Sequence, residues 1–196
     1  MAPSEYDDEL WQLVPEEPGP PPAALVEFVH GLGRVEGSAL DLGCGDGRLT
    51  PELRARRIVG ADVSDVALAR AGRRLTELDV ELVRLTPERA LPFADNSFDL
   101  VLCTETIEHV VDVQTLLSEV RRVLAPGGRL ALSTPAHGRR TGLKLFLRGF
   151  ERSFDPLSPH VRFFSASSLR AVLDEMGFSV VELRTGGDTL FAVAQR

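Results

Sequence analysis

The chain has 196 residues, of which 43% are hydrophobic and 26% are charged, and this composition is typical of a globular protein with room for one full-sized domain. No apolar run approaches the roughly 20 residues that cross a bilayer, and two cysteines exclude a disulfide framework, so we expect a cytoplasmic protein. The net charge of −7 argues against a nucleic-acid partner, because nucleic-acid binding depends on clustered lysine and arginine.

The first 22 residues are predicted to form an arm ahead of one domain, which covers residues 23–196. The arm begins with an acidic stretch and ends in the proline-rich segment 15–22. Because proline cannot continue a helix or donate to a sheet, we expect this segment to be extended. The apolar spacing after it predicts a helix over residues 22–33.

Short β-type runs then alternate with helical patterns, which is typical of parallel strands joined by crossover helices. The predicted strands are 39–42, 57–63, 80–85, 98–104 and 129–133. The predicted helices between them are 48–56, 66–78 and 115–124, the second with Ser64 as its N-cap. These elements predict an α/β fold with a mainly parallel sheet.

The end of the chain has a different pattern. Ser165 is predicted to cap a helix that runs to Met176, and Gly177 is predicted to end it. Two apolar runs, 179–183 and 189–194, flank the turn-forming residues 186–188. They predict a hairpin that places one antiparallel strand at the edge of the sheet.

The strongest local feature is the segment 39–47, in which an apolar strand runs into Gly43, Gly45 and Gly47. Glycines allow a positive φ and let a ligand approach the main chain, although such a turn also occurs where elements only pack tightly. Asp62 ends the next predicted strand, where a carboxylate can accept both hydroxyls of a ribose. The pair predicts a site for a nucleoside.

The spacing of these glycines argues against a nicotinamide dinucleotide. That fingerprint is GxGxxG, whereas this chain has GxGxG with the bulky Arg48 in place of the third glycine. Asp41 adds a carboxylate beside the turn, which favours a cationic or amine-bearing ligand over a diphosphate. We therefore expect a nucleoside without phosphates.

At these residues the chain resembles the class I S-adenosylmethionine-dependent methyltransferases, with their pattern (V/L)LDLGCGxG. The resemblance covers residues 37–196 and includes the stretches VGADVS at 59–64, LPFADNSFDLV at 91–101 and VLAPGGRL at 123–130. It implies a Rossmann-like sheet of seven strands in the order 3-2-1-4-5-7-6, with strand 7 antiparallel and helices on both faces. It also implies S-adenosylmethionine as cofactor and S-adenosylhomocysteine as product.

The resemblance assigns roles around the cofactor. The three glycines would line its methionine part, Asp41 would reach its amino group, and Asp62 would hold the ribose. The adenine would lie beside Val63, with Thr86 or Glu88 in place of the family's usual aspartate. The other candidate cofactor-binding residues are Cys44, Thr104 and Glu105.

The segment 103–110 follows the fourth predicted strand, where the family places the residues nearest the sulfonium. His109 is the candidate catalytic base, because an oxygen nucleophile must lose a proton. Glu105 and His109 could instead only order the loop. Glu105, Glu108 and His109 also form ExxEH, which with His160 resembles the metal motif of RNA 3'-terminal ribose methyltransferases. The motif occurs in metal-free quinone O-methyltransferases too, and we expect no metal.

Residues 136–164 form an insert that is far longer than an ordinary connection. It carries six basic residues against two acidic ones, and its apolar residues follow a helical spacing over 141–154. It could pack on the domain as a cap helix, contact a lipid-like substrate or a membrane surface, or bind phosphates. The candidate substrate residues are Tyr6, Trp11, His137, Phe146, Phe150 and His160. The resemblance implies that the arm folds over the cofactor as a lid, although Tyr6 and Trp11 could instead only anchor the arm to the domain.

These observations favour a methyltransferase that acts on an oxygen of a small or lipid-like molecule, as a monomer or homodimer. One alternative is a metal-dependent RNA 3'-terminal ribose 2'-O-methyltransferase. Another is a cofactor-binding regulatory or partner subunit without catalysis.

Overall fold

Seven strands form one mixed sheet in this computed structural model, which describes residues 3–87, 89–138, 142, 146–147 and 159–196, with side chains from Tyr6 onward. The strands are β1 (Val35–Leu42), β2 (Ala55–Asp62), β3 (Val80–Arg84), β4 (Phe98–Thr104), β5 (Leu124–Pro135), β6 (Ser179–Gly186) and β7 (Thr189–Gln195). Their order is β3-β2-β1-β4-β5-β7-β6.

The pairing confirms the order expected from the sequence. Strands β1 to β5 pair in parallel, and β7 is antiparallel to both β5 and β6. The edge strand β6 pairs antiparallel with β7, as expected of the terminal hairpin, and β7 is second from the edge. Tight turns connect neighbouring antiparallel strands only, so the hairpin places β6 outside β7 once β7 has paired with β5.

The described helices are α1 (Pro3–Leu13), α2 (Ala23–Gly31), α3 (Asp65–Arg74), α4 (Val113–Val123) and α5 (Ala166–Glu175). Side chains cap several of them: Ser64 accepts from the Ala67 amide at 3.1 Å, and Ser165 forms a reciprocal capping box with Ser168. Helix α1 was not predicted. Within the described ranges, no helix is long and apolar enough to cross a membrane.

The helix predicted over residues 48–56 was wrong. This stretch holds one short 3₁₀ turn, Thr50–Glu52, and β2 already begins at Ala55. Pro51 cannot donate a helical hydrogen bond, and the chain enters this stretch from Gly47, whose φ of +75° lies outside the helical region. The Thr50 hydroxyl donates to Asp41 instead, so the segment turns back directly into β2.

Two hydrophobic layers cover the two faces of the sheet, since side chains alternate between faces along a strand. In β4, Val101 and Cys103 belong to the layer that contains α4 and α5, whereas Leu100 and Leu102 belong to the layer that contains α2. The parallel strands β1, β2 and β4 end at the same edge of the sheet. The loops that follow them converge there and form the candidate site.

Candidate active site

A cavity of about 540 Å³ lies at the carboxyl ends of β1, β2 and β4. Its wall combines the glycine-rich turn, the end of β2, the loop after β4, helix α4 and one face of α1. This is the position at which open parallel sheets bind ligands. The residues that the sequence assigned to the cofactor can now be placed relative to it.

Two of the three glycines form part of the cavity wall, and both have a positive φ, +74° at Gly43 and +55° at Gly45. A Cβ atom on Gly43 would lie 2.4 Å from Oγ1 of Thr106, and one on Gly45 would lie 2.7 Å from Cζ2 of Trp11. The turn is therefore enclosed on both sides. Only glycine fits both the backbone conformation and the space.

Asp62 is held in place at the cavity wall by two backbone groups. Its Oδ2 accepts from the Gly45 amide at 2.9 Å and its Oδ1 accepts from the Ser64 amide at 2.9 Å. Burial nevertheless raises the pKa of this carboxyl above its ordinary value. Each oxygen keeps a further lone pair, so the group can accept hydrogen bonds from two neighbouring hydroxyls of a ligand.

Four predicted cofactor residues lie behind the wall rather than in it. Among the described wall residues there is no Asp41, Cys44, Gly47 or Thr104. Asp41 is 2% exposed and accepts from the Thr50 hydroxyl at 2.7 Å, and burial raises its pKa to about 6. A Cβ on Gly47 would lie 2.9 Å from a methyl group of Leu75, so this glycine permits packing against the end of α3.

The predicted adenine side is only partly described. Val63 and Thr86 line the cavity, whereas Glu88 lies outside the described residues. Leu91 also lines it, and its amide donates to Glu119 of α4 at 2.8 Å. The sequence missed this wall, because helical periodicity located α4 without showing which side chains would reach a neighbouring loop.

Helix α1 crosses the open side of the cavity. Asp8 accepts from the Ser64 hydroxyl and, at 3.2 Å, from the Val66 amide. The Arg70 guanidinium donates to the Val14 carbonyl at 2.9 Å and lies 5.9 Å from the centre of the Trp11 ring. These contacts attach α1 to the start of α3.

The arm supplies one predicted wall residue, Trp11, and three that the sequence missed, Asp7, Leu10 and Val14. Tyr6 is 38% exposed and is not among the described wall residues. Burial and then the charge of Asp62 raise the pKa of Asp7. Among several acidic residues in the arm, only the helical register of α1 distinguishes Asp7.

The loop after β4 brings Glu105 and His109 to the cavity wall. Glu105 has a φ of +49°, and its amide donates to the Ser133 carbonyl at 3.0 Å. The Ser133 hydroxyl donates to the Glu105 carboxylate at 2.7 Å. These bonds hold a non-glycine residue in a backbone conformation that such residues rarely adopt.

His109 can accept a proton at neutral pH. Its Nδ1 lies 3.2 Å from the Pro159 carbonyl oxygen, which can only accept, so Nδ1 carries the hydrogen and Nε2 the lone pair. Burial, followed by the neighbouring charge of His160, lowers the pKa of His109. The two imidazole rings are 4.9 Å apart, so the structure brings together two predicted residues that are 51 positions apart in sequence.

The remaining substrate candidates come from the insert. The ring of His137 packs against Phe163 at 4.9 Å, and His137 is not part of the described cavity wall. Phe146 is 86% exposed. Phe150 and most of the predicted apolar face 141–154 lie outside the described residues.

Comparison with known proteins identifies the family. A family model described as "Methyltransferase domain" matches residues 40–132. The chain is 30% identical over 182 residues to 2-phytyl-1,4-naphtoquinone methyltransferase of Thermosynechococcus vestitus, covering 81% of this chain and 80% of that protein. It is 31% identical over 173 residues to a probable S-adenosylmethionine-dependent methyltransferase of Mycolicibacterium smegmatis, covering 80% of this chain and 63% of that protein.

Two further matches cover different shares of their own chains. The ubiquinone biosynthesis O-methyltransferase of Alkalilimnicola ehrlichii is 35% identical over 118 residues, which are 58% of this chain and 48% of that protein. The chain thus spans about half to two thirds of the length of two of these three curated relatives. A putative methyltransferase from Bacillus halodurans has the same fold, with a TM-score of 0.72, 18% identity, and 89% of this chain and 99% of that chain covered.

The family model, the curated relatives and the fold agree, and S-adenosylmethionine is the cofactor of this group. The chain belongs to the class I S-adenosylmethionine-dependent methyltransferases.

Proposed function

We propose that this protein transfers the methyl group of S-adenosylmethionine to an oxygen atom of a small or lipid-like acceptor. The observation that carries the proposal is that Asp62, at the end of β2, and His109, in the loop after β4, both line one cavity. Asp62 has the lone pairs to hold a ribose, and His109 has the lone pair to accept a proton. The space between them takes the sulfonium and the acceptor.

The reaction needs alignment and one proton transfer. The acceptor oxygen attacks the methyl carbon, and the carbon–sulfur bond breaks with its electron pair moving to sulfur. The products are the methylated acceptor and S-adenosylhomocysteine, while the hydroxyl proton passes to Nε2 of His109. Alignment of the two reactants supplies most of the acceleration, because the sulfonium is already a strong electrophile.

The chemistry of the cavity mouth supports an apolar acceptor. Val110, Val111 and Leu116 line this side, and Val111 is 59% exposed. One relative is named as a ubiquinone biosynthesis O-methyltransferase, which supports an oxygen acceptor. We therefore expect a phenolic or similar hydroxyl on a largely apolar molecule.

The first test of this function is cofactor binding. We expect S-adenosylhomocysteine to bind with a micromolar Kd in calorimetric titration, and we expect no binding of NAD. Asp62→Asn should weaken binding by about 10- to 100-fold, because the amide no longer offers two charged acceptors to the ribose. Asp79→Asn is the matched control, since Asp79 is exposed and the substitution is identical. Equal affinities in the two variants would refute the assignment of Asp62.

The second test separates a catalyst from a cofactor-binding subunit. In a screen of phenols, hydroxyquinones and hydroxy acids, His109→Asn should slow methyl transfer by about 10²- to 10⁴-fold, the usual contribution of a general base. Its affinity for S-adenosylhomocysteine should stay close to that of the wild type. Firm cofactor binding without methyl transfer to any member of the panel would favour the non-catalytic alternative.

A further inference from the structure

One face of helix α1 belongs to the cavity wall. The wall residues of the arm are spaced at helical intervals and are Asp7, Leu10, Trp11 and Val14. Residues three, four and seven positions apart share one face of a helix. Asp7 therefore faces the cavity together with Trp11, from a position about 6 Å away along the helix axis.

The attachment of α1 is centred on Asp62. Trp11 lies over Gly45, whose amide donates to Oδ2 of Asp62 at 2.9 Å. Asp8 accepts from the Ser64 hydroxyl, and the Ser64 amide donates to Oδ1 of Asp62 at 2.9 Å. Two residues of α1 thus contact the two residues that hold the Asp62 carboxylate.

This attachment brings a second carboxylate, that of Asp7, towards Asp62. Asp7 is next to Asp8 in sequence and about one turn before Trp11, and both carboxylates line the cavity. After the larger effect of burial, the charge of Asp62 raises the pKa of Asp7, which agrees with this placement. The other charges that act on Asp7 are those of Asp8, which raises its pKa, and Arg84, which lowers it.

No described residue places a donor between the two carboxylates. Asp7 accepts no hydrogen bond from the described part of the chain, and Asp62 accepts from backbone amides. The Arg84 guanidinium donates to Asp65 and to the Leu85 carbonyl, each at 2.7 Å. Neighbouring carboxylates repel each other, and a ligand that donates hydrogen bonds to them reduces this repulsion.

We propose that Asp7 is a second acceptor for the ribose hydroxyls of S-adenosylmethionine, so that α1 closes fully only over a nucleoside that carries both hydroxyls. Asp62 has lone pairs for both hydroxyls. A hydroxyl hydrogen that points to Asp7 instead also separates the two negative charges, which favours one bond to each carboxylate. The inference rests on the cofactor of the family and not on the proposed acceptor.

The pair makes closure of the arm depend on the cofactor. In the free protein, repulsion between Asp7 and Asp62 opposes the approach of α1. In the complex, a hydrogen bond from the ribose to Asp7 holds α1 in place. A residue that only supported the helix would favour closure in both states, whereas Asp7 acts in opposite directions.

Two measurements on Asp7→Asn separate these roles. Its affinity for S-adenosylhomocysteine should fall by about 5- to 20-fold in calorimetric titration, because an amide is a weaker acceptor than a carboxylate. In the free protein, acrylamide should quench Trp11, the only tryptophan, less than in the wild type, because α1 is no longer repelled. Glu9→Gln, at an exposed position of the same helix, is the matched control and should change neither value.

Analogues of S-adenosylhomocysteine that lack the 2'- or the 3'-hydroxyl identify the contact. Loss of the hydroxyl that Asp7 holds should weaken binding to the wild type by about tenfold, but binding to Asp7→Ala by less than about twofold. Equal losses in both proteins for both analogues would overturn the proposal, as would an unchanged affinity of Asp7→Asn. Stronger quenching of Trp11 in Asp7→Asn would also overturn it, because Asp7 would then only support the helix.

Discussion

Two buried aspartates at neighbouring strand ends illustrate how differently a carboxylate can be supported. Asp62 accepts from two backbone amides, whereas Asp41 accepts one hydrogen bond, from the Thr50 hydroxyl. Asp41 is fully buried, and the nearby charge of Asp62 adds to the effect of burial, so its pKa rises to about 6. When it is ionised, the Asp41 carboxylate can stabilise a positive charge in the adjoining cavity. Without such a charge, its ionisation lowers the unfolding free energy of the protein.

The pKa of Asp41 predicts a pH dependence of stability. Because its folded pKa of about 6 exceeds the ordinary value of 3.8, its contribution is fully present below pH 4 and is lost as the pH rises through 6. The loss amounts to at most about 3 kcal/mol of unfolding free energy. Asp41→Asn should remove it, because the amide stays neutral and can still accept from Thr50.

Urea unfolding between pH 4 and pH 8 measures this effect. The stability difference between the variant and the wild type should shift by up to about 3 kcal/mol in favour of the variant as the pH rises. Asp79→Asn, at an exposed site, should give a curve parallel to that of the wild type. If the unfolding free energies of Asp41→Asn and the wild type changed equally with pH, Asp41 would already be ionised at low pH and its pKa would not be raised.

At the scale of elements, α1 is the part of the protein that was least visible in the sequence and most closely connected to the cavity. It contributes Trp11 above Gly45 and Asp7 near Asp62. Its attachment depends on polar contacts to the start of α3, of which Asp8 makes two. A helix held by a few polar contacts can open at low cost, which gives a cofactor a route into the cavity.

Loss of the Asp8 contacts should therefore weaken cofactor binding. Asp8→Ala should raise the Kd for S-adenosylhomocysteine by up to about tenfold, mainly through faster dissociation, because α1 no longer stays over the cavity. Stopped-flow displacement measures the dissociation rate. Glu9→Ala removes the same charge from an exposed position of the same helix and should change neither value. Equal effects of both variants would indicate that the negative charge acts over a distance, and not that Asp8 holds α1 over the cavity.

For the whole molecule, the sequence correctly predicted the strands whose positions follow from the periodicity of apolar residues. Strand β4 was predicted over its observed range, and the order of all seven strands was expected from the resemblance. The prediction failed at residues 48–56, where apolar spacing favoured a helix but a left-handed Gly47, Pro51 and a tertiary hydrogen bond to Asp41 determined the conformation. A tertiary contact of this kind cannot be read from a local pattern.

In the candidate site, too, local patterns predicted some residues, whereas tertiary contacts determined the others. Asp62 and the glycine turn were identified because the spacing of their motif is fixed by one strand–turn–strand unit. The adjacency of His109 and His160 was only a possibility, since it depends on backbone bonds from residues 161 and 162 to Glu108. Asp7 and Glu119 carried no signal, because their roles arise from the packing of α1 and α4 on loops distant in sequence.

Since the two hydrophobic layers share one sheet, we expect the molecule to unfold as one cooperative unit. Phe28 of α2 packs against Phe191 at 5.0 Å in one layer, and Leu117 of α4 is buried in the other. Phe28→Ala and Leu117→Ala should each lower the unfolding free energy by about 2 to 5 kcal/mol through the cavity that each leaves.

Both variants should unfold in a single transition when circular dichroism and tryptophan fluorescence are compared, since Trp11 reports on the cavity and circular dichroism on the sheet. Neither residue is among the described wall residues, so S-adenosylhomocysteine at 100 times its Kd should restore about 2.7 kcal/mol in each. Two separate transitions would show that the layers fold independently. If Phe28→Ala alone lowered the affinity for S-adenosylhomocysteine, the layer that contains α2 would influence the cavity through the sheet. That result would contradict our expectation that neither residue affects the cavity.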